Sequence, residues 1–291
     1  MKKSRAAGFI VIALAYLVAI AIGVAVFLST VEMHLFWRVF LGDLAATIFV
    51  FLTGVIYQNA SVYDPYWSVA PIVIIGGLVA YSGHISSSSF LLLIVIFFWG
   101  VRLTANWAYT FANLATQDWR YDDFKQRYPK SFQIISFFGI NLFPTLVVYL
   151  CLLPAIVFLE TNLANKWTLV GVAVCLIGTT LELLADRQMH QFRSQRNRDE
   201  IVRVGLWQHS RHPNYLGEIM MWWGVYLMML STTLSTWWLA IGALVNTLMF
   251  LRISIPMADK RNRVLRQNYD DYYRETNNLV PLRLSYRKQE S

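Results

Sequence analysis

Eight long apolar runs dominate this chain and leave few folds open to it. They cover roughly 7–29, 40–57, 65–82, 90–112, 140–160, 167–187, 213–232 and 235–257. A run of about 18 or more apolar residues suits a helix that crosses a bilayer. The runs are continuous rather than alternating, which favours a helical bundle over a barrel. Composition agrees: 56% of residues are hydrophobic and 14% charged, against roughly 25% charged in ordinary soluble domains. The expected fold is therefore all-α, a polytopic membrane bundle of about eight transmembrane helices, with seven to ten allowed. No repeat or long linker divides the chain, so 1–291 reads as one integral membrane domain. The last half, about 140–291, carries most of the intramembrane charge.

Lys2, Lys3 and Arg5 precede the first run and give it the look of a signal peptide. The run is too long for one and lacks a small-residue cleavage site, so it reads as a retained helix. Basic residues set the orientation. The 113–139 loop holds Arg120, Lys125, Arg127 and Lys130. The 188–212 loop holds Arg193, Arg196, Arg198, Arg203 and Arg211, and the tail from Lys260 holds more. The opposite loops hold only Arg38 and Lys166. The positive-inside rule then puts both termini in the cytoplasm.

The net charge of +8 falls almost wholly on that face. It fits attraction to anionic membrane lipid, with a polyanionic ligand as the sharper reading. No nucleic-acid module is present. Cys151 and Cys175 lie in apolar runs without metal-ligand spacing and read as packing residues; no metal is expected. Residues 258–275 are polar and helix-compatible. They are expected to continue off the last span or to lie on the membrane, with Pro281 as the stop.

Intramembrane charge is costly and marks candidate sites. In LELLADRQMHQFR, Glu182, Asp186 and Arg193 are spaced by four and seven residues. At about 100° per residue all three share one helical face if the helix runs unbroken. A helix end escaping into the cytosol explains Arg193 equally well, but explains Glu182 poorly. In RVGLWQHSRHPNYLGE, Pro213 suits the first turn of a helix, with His212 or Ser210 at the cap. Arg211, Asn214 and Glu218 follow at three- and four-residue steps on one face. A helix N-terminus with an arginine beside it suits an anion. A capping device with an Asn–Glu hydrogen bond is the plainer alternative.

Arg102 lies within the fourth run with Asn106 one turn on, and Arg252 near the end of the eighth. Each must pair across the bundle or face a ligand. In QNASVYDPYWSVAP, Tyr63 and Asp64 precede Pro65. One reading is an ordinary interfacial loop. The other is an acid paired with a phenol, able to donate a proton or hold a carbonyl oxygen. The remaining tryptophans cluster at run ends as interface anchors.

The motifs ExxADxQxxxFR at 182–193 and GLWxxSRHPNYLGE at 205–218, with the tyrosine-rich tail, resemble the steroid 5-alpha-reductase superfamily. The likeness is nearest to the bacterial group of membrane proteins called DUF1295. It is strong over about 180–281 and traceable from 58 to 125. It implies a multi-helix membrane reductase that uses NADPH, held between helices near the cytoplasmic face. Hydride would pass to the β carbon of an enone in a hydrophobic substrate, sterol-like, isoprenoid or fatty. The absence of GxGxxG after a strand agrees with such a site.

Carried over residue by residue, the resemblance assigns Arg102, Glu182, Asp186, Arg193, Asn214, Glu218 and Arg252 to the cofactor. Arg211, beside the helix N-terminus, joins them as a cofactor-binding candidate on its own reading. Glu182 stands where the family has asparagine. The family's catalytic Gln–Glu pair falls on Tyr63–Asp64, and its fourth-span tyrosine on Trp99. The implied location is a bacterial cytoplasmic membrane. Two alternatives compete. Membrane isoprenylcysteine and phospholipid methyltransferases, which use S-adenosylmethionine, carry a similar RHPxYxG turn. A transporter or lipid-binding scaffold would show inverted repeats or paired broken helices, and neither is evident. No sequence feature sets an oligomeric state.

Overall fold

The computed structural model describes residues 2–195 and 200–280. Its regular elements are ten helices, and no strand occurs among the described residues. A single isolated bridge joins Ser210 to Asn277. Seven helices are long and apolar enough to cross a membrane. The expected eighth, 213–232, does form a helix but is not one of the seven. Its first two turns carry Asn214 and Glu218, and much of its surface is buried in protein, so it has little need of an apolar coat. The chain divides into two compact units, 1–164 and 165–291, described separately below.

The first unit contains α1 (Arg5–Ser29), α2 (Leu35–Tyr57), α3 (Tyr66–Ser82), α4 (Ser87–Thr110), α5 (Trp119–Arg127) and α6 (Phe132–Thr161). Helices α1 and α2 cross at Gly23 and Gly42, where a Cβ on Gly42 would lie 2.8 Å from the Gly23 carbonyl oxygen. Small residues at such crossings let membrane helices pack by close backbone approach. Helix α4 starts from a capping box in which Ser86 and Ser89 satisfy each other's backbone N–H. It packs on α3 through Gly100, with a Ser68–Thr104 hydroxyl pair at 2.8 Å. A π-helical turn, Ser136–Leu142, interrupts α6.

The junction between α2 and α3 is stapled to the loop before α5. Asn59 Nδ2 donates to the carbonyls of Leu114 (3.0 Å) and Thr116 (2.9 Å), and Gln117 Oε1 accepts from Ala60 N–H at 3.1 Å. This staple fixes the short 3-10 turn Ala60–Val62 that delivers Tyr63 and Asp64.

The second unit contains α7 (Thr168–Gln195), α8 (Pro213–Leu230), α9 (Trp237–Leu265) and α10 (Tyr269–Glu275). Helix α7 has 28 residues, about 42 Å at 1.5 Å per residue. That outruns a hydrocarbon core of about 30 Å, so its last turns extend past an apolar layer. Helices α7 and α8 meet along four glycines. A Cβ on Gly171 would lie 2.7 Å from the Gly224 carbonyl oxygen, and one on Gly178 would lie 2.6 Å from that of Gly217. Cys175 fills the seam against Gly224, which bears out its reading as a packing residue.

The 258–275 segment differs from one continuous helix. It continues α9 to Leu265, then breaks where Asn268 takes a left-handed conformation (φ 61°), and resumes as α10. Helix α10 ends at Glu275, before Pro281, which lies outside the described residues.

Candidate functional site

The two motif-bearing segments of the second unit meet. Helix α7 presents Glu182 and Asp186 to the start of α8. Glu182 is 2% exposed, and Gly217 opposite it makes that burial possible, because any side chain at 217 would collide with Glu182 Cγ. One turn on, Asn214 Nδ2 reaches Asp186 Oδ1 at 3.5 Å. Glu218, 3% exposed, accepts a 2.8 Å hydrogen bond from Trp222 Nε1 in its own helix. The predicted faces of the two motifs therefore form one polar seam at the N-terminus of α8, with Glu182 and Glu218 buried and Asp186 and Asn214 half-buried. Arg193, seven residues beyond Asp186, is exposed on the last turns of α7. Arg252 is exposed on the π-helical turn Phe250–Ser254 of α9.

Arg211 faces elsewhere. Its guanidinium donates to the carbonyls of Tyr273 and Thr276 and reaches Asp259 Oδ2 at 3.4 Å. His212 Nε2 lies 2.9 Å from Asp259 Oδ1, and Tyr269 OH donates to the same oxygen at 2.6 Å. The Tyr273 ring lies under the Arg211 guanidinium at 4.1 Å. His212 stacks on Tyr215, their planes 3° apart. Tyr272 OH donates to the Trp207 carbonyl, and Trp207 Nε1 donates to that of Ala185 at 3.0 Å. This knot ties the RHP turn, α9, α10 and the end of α7 together. Burial first, and then the bond to Asp259, push the Tyr269 phenol well above its ordinary range; burial does the same to Tyr272.

Asp259, His212, Tyr269 and Tyr272 were not among the predicted site residues. The signals for them were an acid just past the last apolar run and the tyrosines of YDDYYRE. The knot gives the tail's tyrosines a structural role: through Asp259 and the Trp207 carbonyl they hold the RHP turn.

In the first unit, Tyr63 is 2% exposed. Its hydroxyl pairs with Thr145 Oγ1 at 2.8 Å rather than with Asp64. The phenol on Asp64 is Tyr121 of α5, which donates to Asp64 Oδ1 at 2.7 Å. Sequence reasoning missed Tyr121 because 57 residues separate it from Asp64. Burial, then the Asp64 carboxylate, hold Tyr121 well above the usual phenol range, so it remains a proton donor. Asp64 has no ion pair among the described residues. Arg102 is buried on α4, and Trp99 is fully buried one turn before it.

The chain matches the family described as protein of unknown function, DUF1295, over residues 50–276. It belongs to the DUF1295 family. It is also similar to an uncharacterized protein, C594.04c, of Schizosaccharomyces pombe, with 25% identity over 197 residues. That match covers 58% of this chain and 57% of the other, less than two thirds of the relative's length. No solved structure matches the chain. The DUF1295 match takes in Asp64, Tyr121, the α7–α8 seam and the Asp259 knot, and begins after the first turns of α2.

Proposed function

We propose that this DUF1295 protein is a membrane-embedded, NADPH-dependent reductase. Its substrate is a hydrophobic molecule with a carbon–carbon double bond conjugated to a carbonyl. The DUF1295 family falls within the steroid 5-alpha-reductase-like group, which supports the reaction class. The observation that carries the reading is the α7–α8 seam. Buried carboxylates and an amide side by side at a helix N-terminus suit a ligand that brings both hydroxyl and amide donors. A buried donor of the same unit, Asn246 Nδ2, meets no hydrogen-bond partner among the described residues, and it suits an acceptor oxygen. The residues present thus fit a dinucleotide.

On this reading Glu182, Asp186, Asn214 and Glu218 hold the hydroxyl and amide groups of NADPH. Arg193 and Arg252, exposed and cationic, hold its phosphates. Arg211 serves mainly by fixing the RHP turn. When bound, NADPH supplies the hydride that goes to the β carbon of the enone. Tyr121, kept protonated, turns its single O–H from Asp64 to the ketone oxygen when substrate binds, and Asp64 is the acceptor that orients the phenol until then. Tyr63, anchored on Thr145, shapes the wall beside Asp64. With the positive-inside bias, the cofactor side and both termini face the cytoplasm of a bacterial inner membrane.

The test is turnover. Purified protein with NADPH and a panel of lipophilic enones should yield products heavier by two hydrogens. Asp64→Asn should abolish that gain without unfolding the protein. Stable protein that binds NADPH but leaves every enone unchanged would refute the reaction.

A further inference from the structure

The first unit contains a cavity of about 250 Å³ between α1, α2 and α3. It is a slot. Two aromatic contacts between α1 and α3 mark its ends, Phe27 against Tyr81 at 5.4 Å and Tyr16 against Tyr66 at 5.7 Å. It is open to the surroundings, where Val24, Leu28 and Tyr81 of its lining are exposed. Tyr16 and Phe27 are eleven residues apart on α1, about 16 Å along the helix axis. Between the ends the walls are small and apolar, with Ala19, Gly23, Ala46, Ala70 and Gly77 in the lining. The slot is narrow and long, and ligand pockets for drug-sized molecules begin near 300 Å³. It suits one chain rather than two.

The charge distribution gives the slot a direction. Asp43 and Tyr66 near one end satisfy each other, the phenol donating to Asp43 Oδ1 at 2.7 Å. At the other end Arg38 is 7% exposed, with its guanidinium 4.0 Å over the Phe27 ring and 5.3 Å from the Tyr81 ring. Its Nε donates to the Phe27 carbonyl at 3.2 Å. Its Nη2 is buried and meets no hydrogen-bond partner among the described residues, and no carboxylate there forms an ion pair with Arg38. A buried guanidinium without a counter-charge is costly, and an anionic oxygen from a ligand would remove the cost by a charge-assisted hydrogen bond.

We infer that the α1–α2–α3 slot binds a single-chain amphiphile headed by an anionic oxygen group, with the head at Arg38 and the chain running toward Tyr16. A long-chain carboxylate is the simplest such ligand. Arg38 and Asp43 precede the part of the chain that defines the family. The inference rests on the slot alone and holds whether or not the chain reduces an enone.

The test uses the full chain in a non-ionic detergent micelle, with displacement of a fluorescent fatty acid as the readout. Palmitate should displace the probe at least about tenfold better than hexadecanol, which has the chain without the charge. Arg38→Gln should weaken palmitate by about tenfold or more and leave hexadecanol unchanged. Gly77→Leu should weaken both by filling the slot. A Cβ at Gly77 meets nothing within 4 Å, so that position has room for a side chain and tests the slot independently of Arg38. Equal displacement by palmitate and hexadecanol would overturn the inference. So would wild-type palmitate binding by either variant, or equal displacement by two-chain phosphatidylglycerol.

Discussion

Two aspartates in this molecule accept a phenol hydrogen bond of nearly the same length, yet their surroundings differ. Asp259 takes Tyr269 at 2.6 Å and also meets His212 and Arg211. Its lone pairs are filled and its charge is countered, so the carboxylate is part of a lock. Asp64 takes Tyr121 at 2.7 Å and has no ion pair among the described residues. Its pair keeps capacity for an incoming oxygen. The same two residue types thus hold a tail in place in one unit and stand as a phenol–carboxylate pair in the other, where the nearby Arg120 charge is engaged in an ion pair with Asp118.

The comparison breaks most visibly at Asp259. Asp259→Ala leaves a buried arginine and histidine without their partner and should cost about 3–5 kcal/mol in unfolding free energy. Asp64→Ala should cost clearly less, since it strands a phenol and the Ser61 hydroxyl but no buried charge pair. Denaturant unfolding of both variants checks this, and equal losses would erase the distinction. Turnover should respond the other way. Tyr121→Phe should lower kcat by about 10²-fold or more, the range for a lost proton donor, with little change in unfolding midpoint. Tyr269→Phe should leave kcat near wild type.

A smaller effect is expected at the α7–α8 seam. Gly217→Ala pushes a methyl group into Glu182 and the Gly178 carbonyl, and should cost about 1–3 kcal/mol by overpacking. Thermal unfolding reads it, and an unchanged midpoint would show that α7 and α8 separate freely.

The smallest effect is pH-dependent. Tyr269 keeps its proton in the folded state well above the ordinary phenol value of about 10, while the unfolded chain releases it near 10. Its stabilisation is therefore whole below pH about 10 and declines as pH rises further. The stability gap between wild type and Tyr269→Phe should narrow from pH 9 to pH 11, and a widening gap would contradict the assignment.

Much of this was legible in the sequence because its signals are local. Runs of apolar residues set seven spanning helices, and four-residue spacings put Glu182 with Asp186 and Asn214 with Glu218 on single faces. The meeting of those faces was suggested by type alone and required the glycine seam to bring it about. Two assignments went elsewhere for a common reason. Tyr63 adjoins Asp64 in sequence, but the 3-10 turn points its hydroxyl at Thr145, and the phenol on Asp64 comes from a helix 57 residues away. Arg211 adjoins the anion-suited end of α8, but its donors go to the tail carbonyls. Neighbours along a turn diverge in space, and hydrogen-bond partners far apart in the chain leave no periodic trace.

Cofactor binding by the α7–α8 seam is the claim on which the rest depends. Thermal unfolding of the purified chain with NADPH, and separately with S-adenosylmethionine, tests it directly. At about a hundred times its Kd, NADPH should stabilise the fold by about 2.7 kcal/mol, and Asn214→Ala with Glu218→Ala should abolish the rise. Stabilisation by S-adenosylmethionine but not by NADPH would contradict the account and make the chain a methyltransferase.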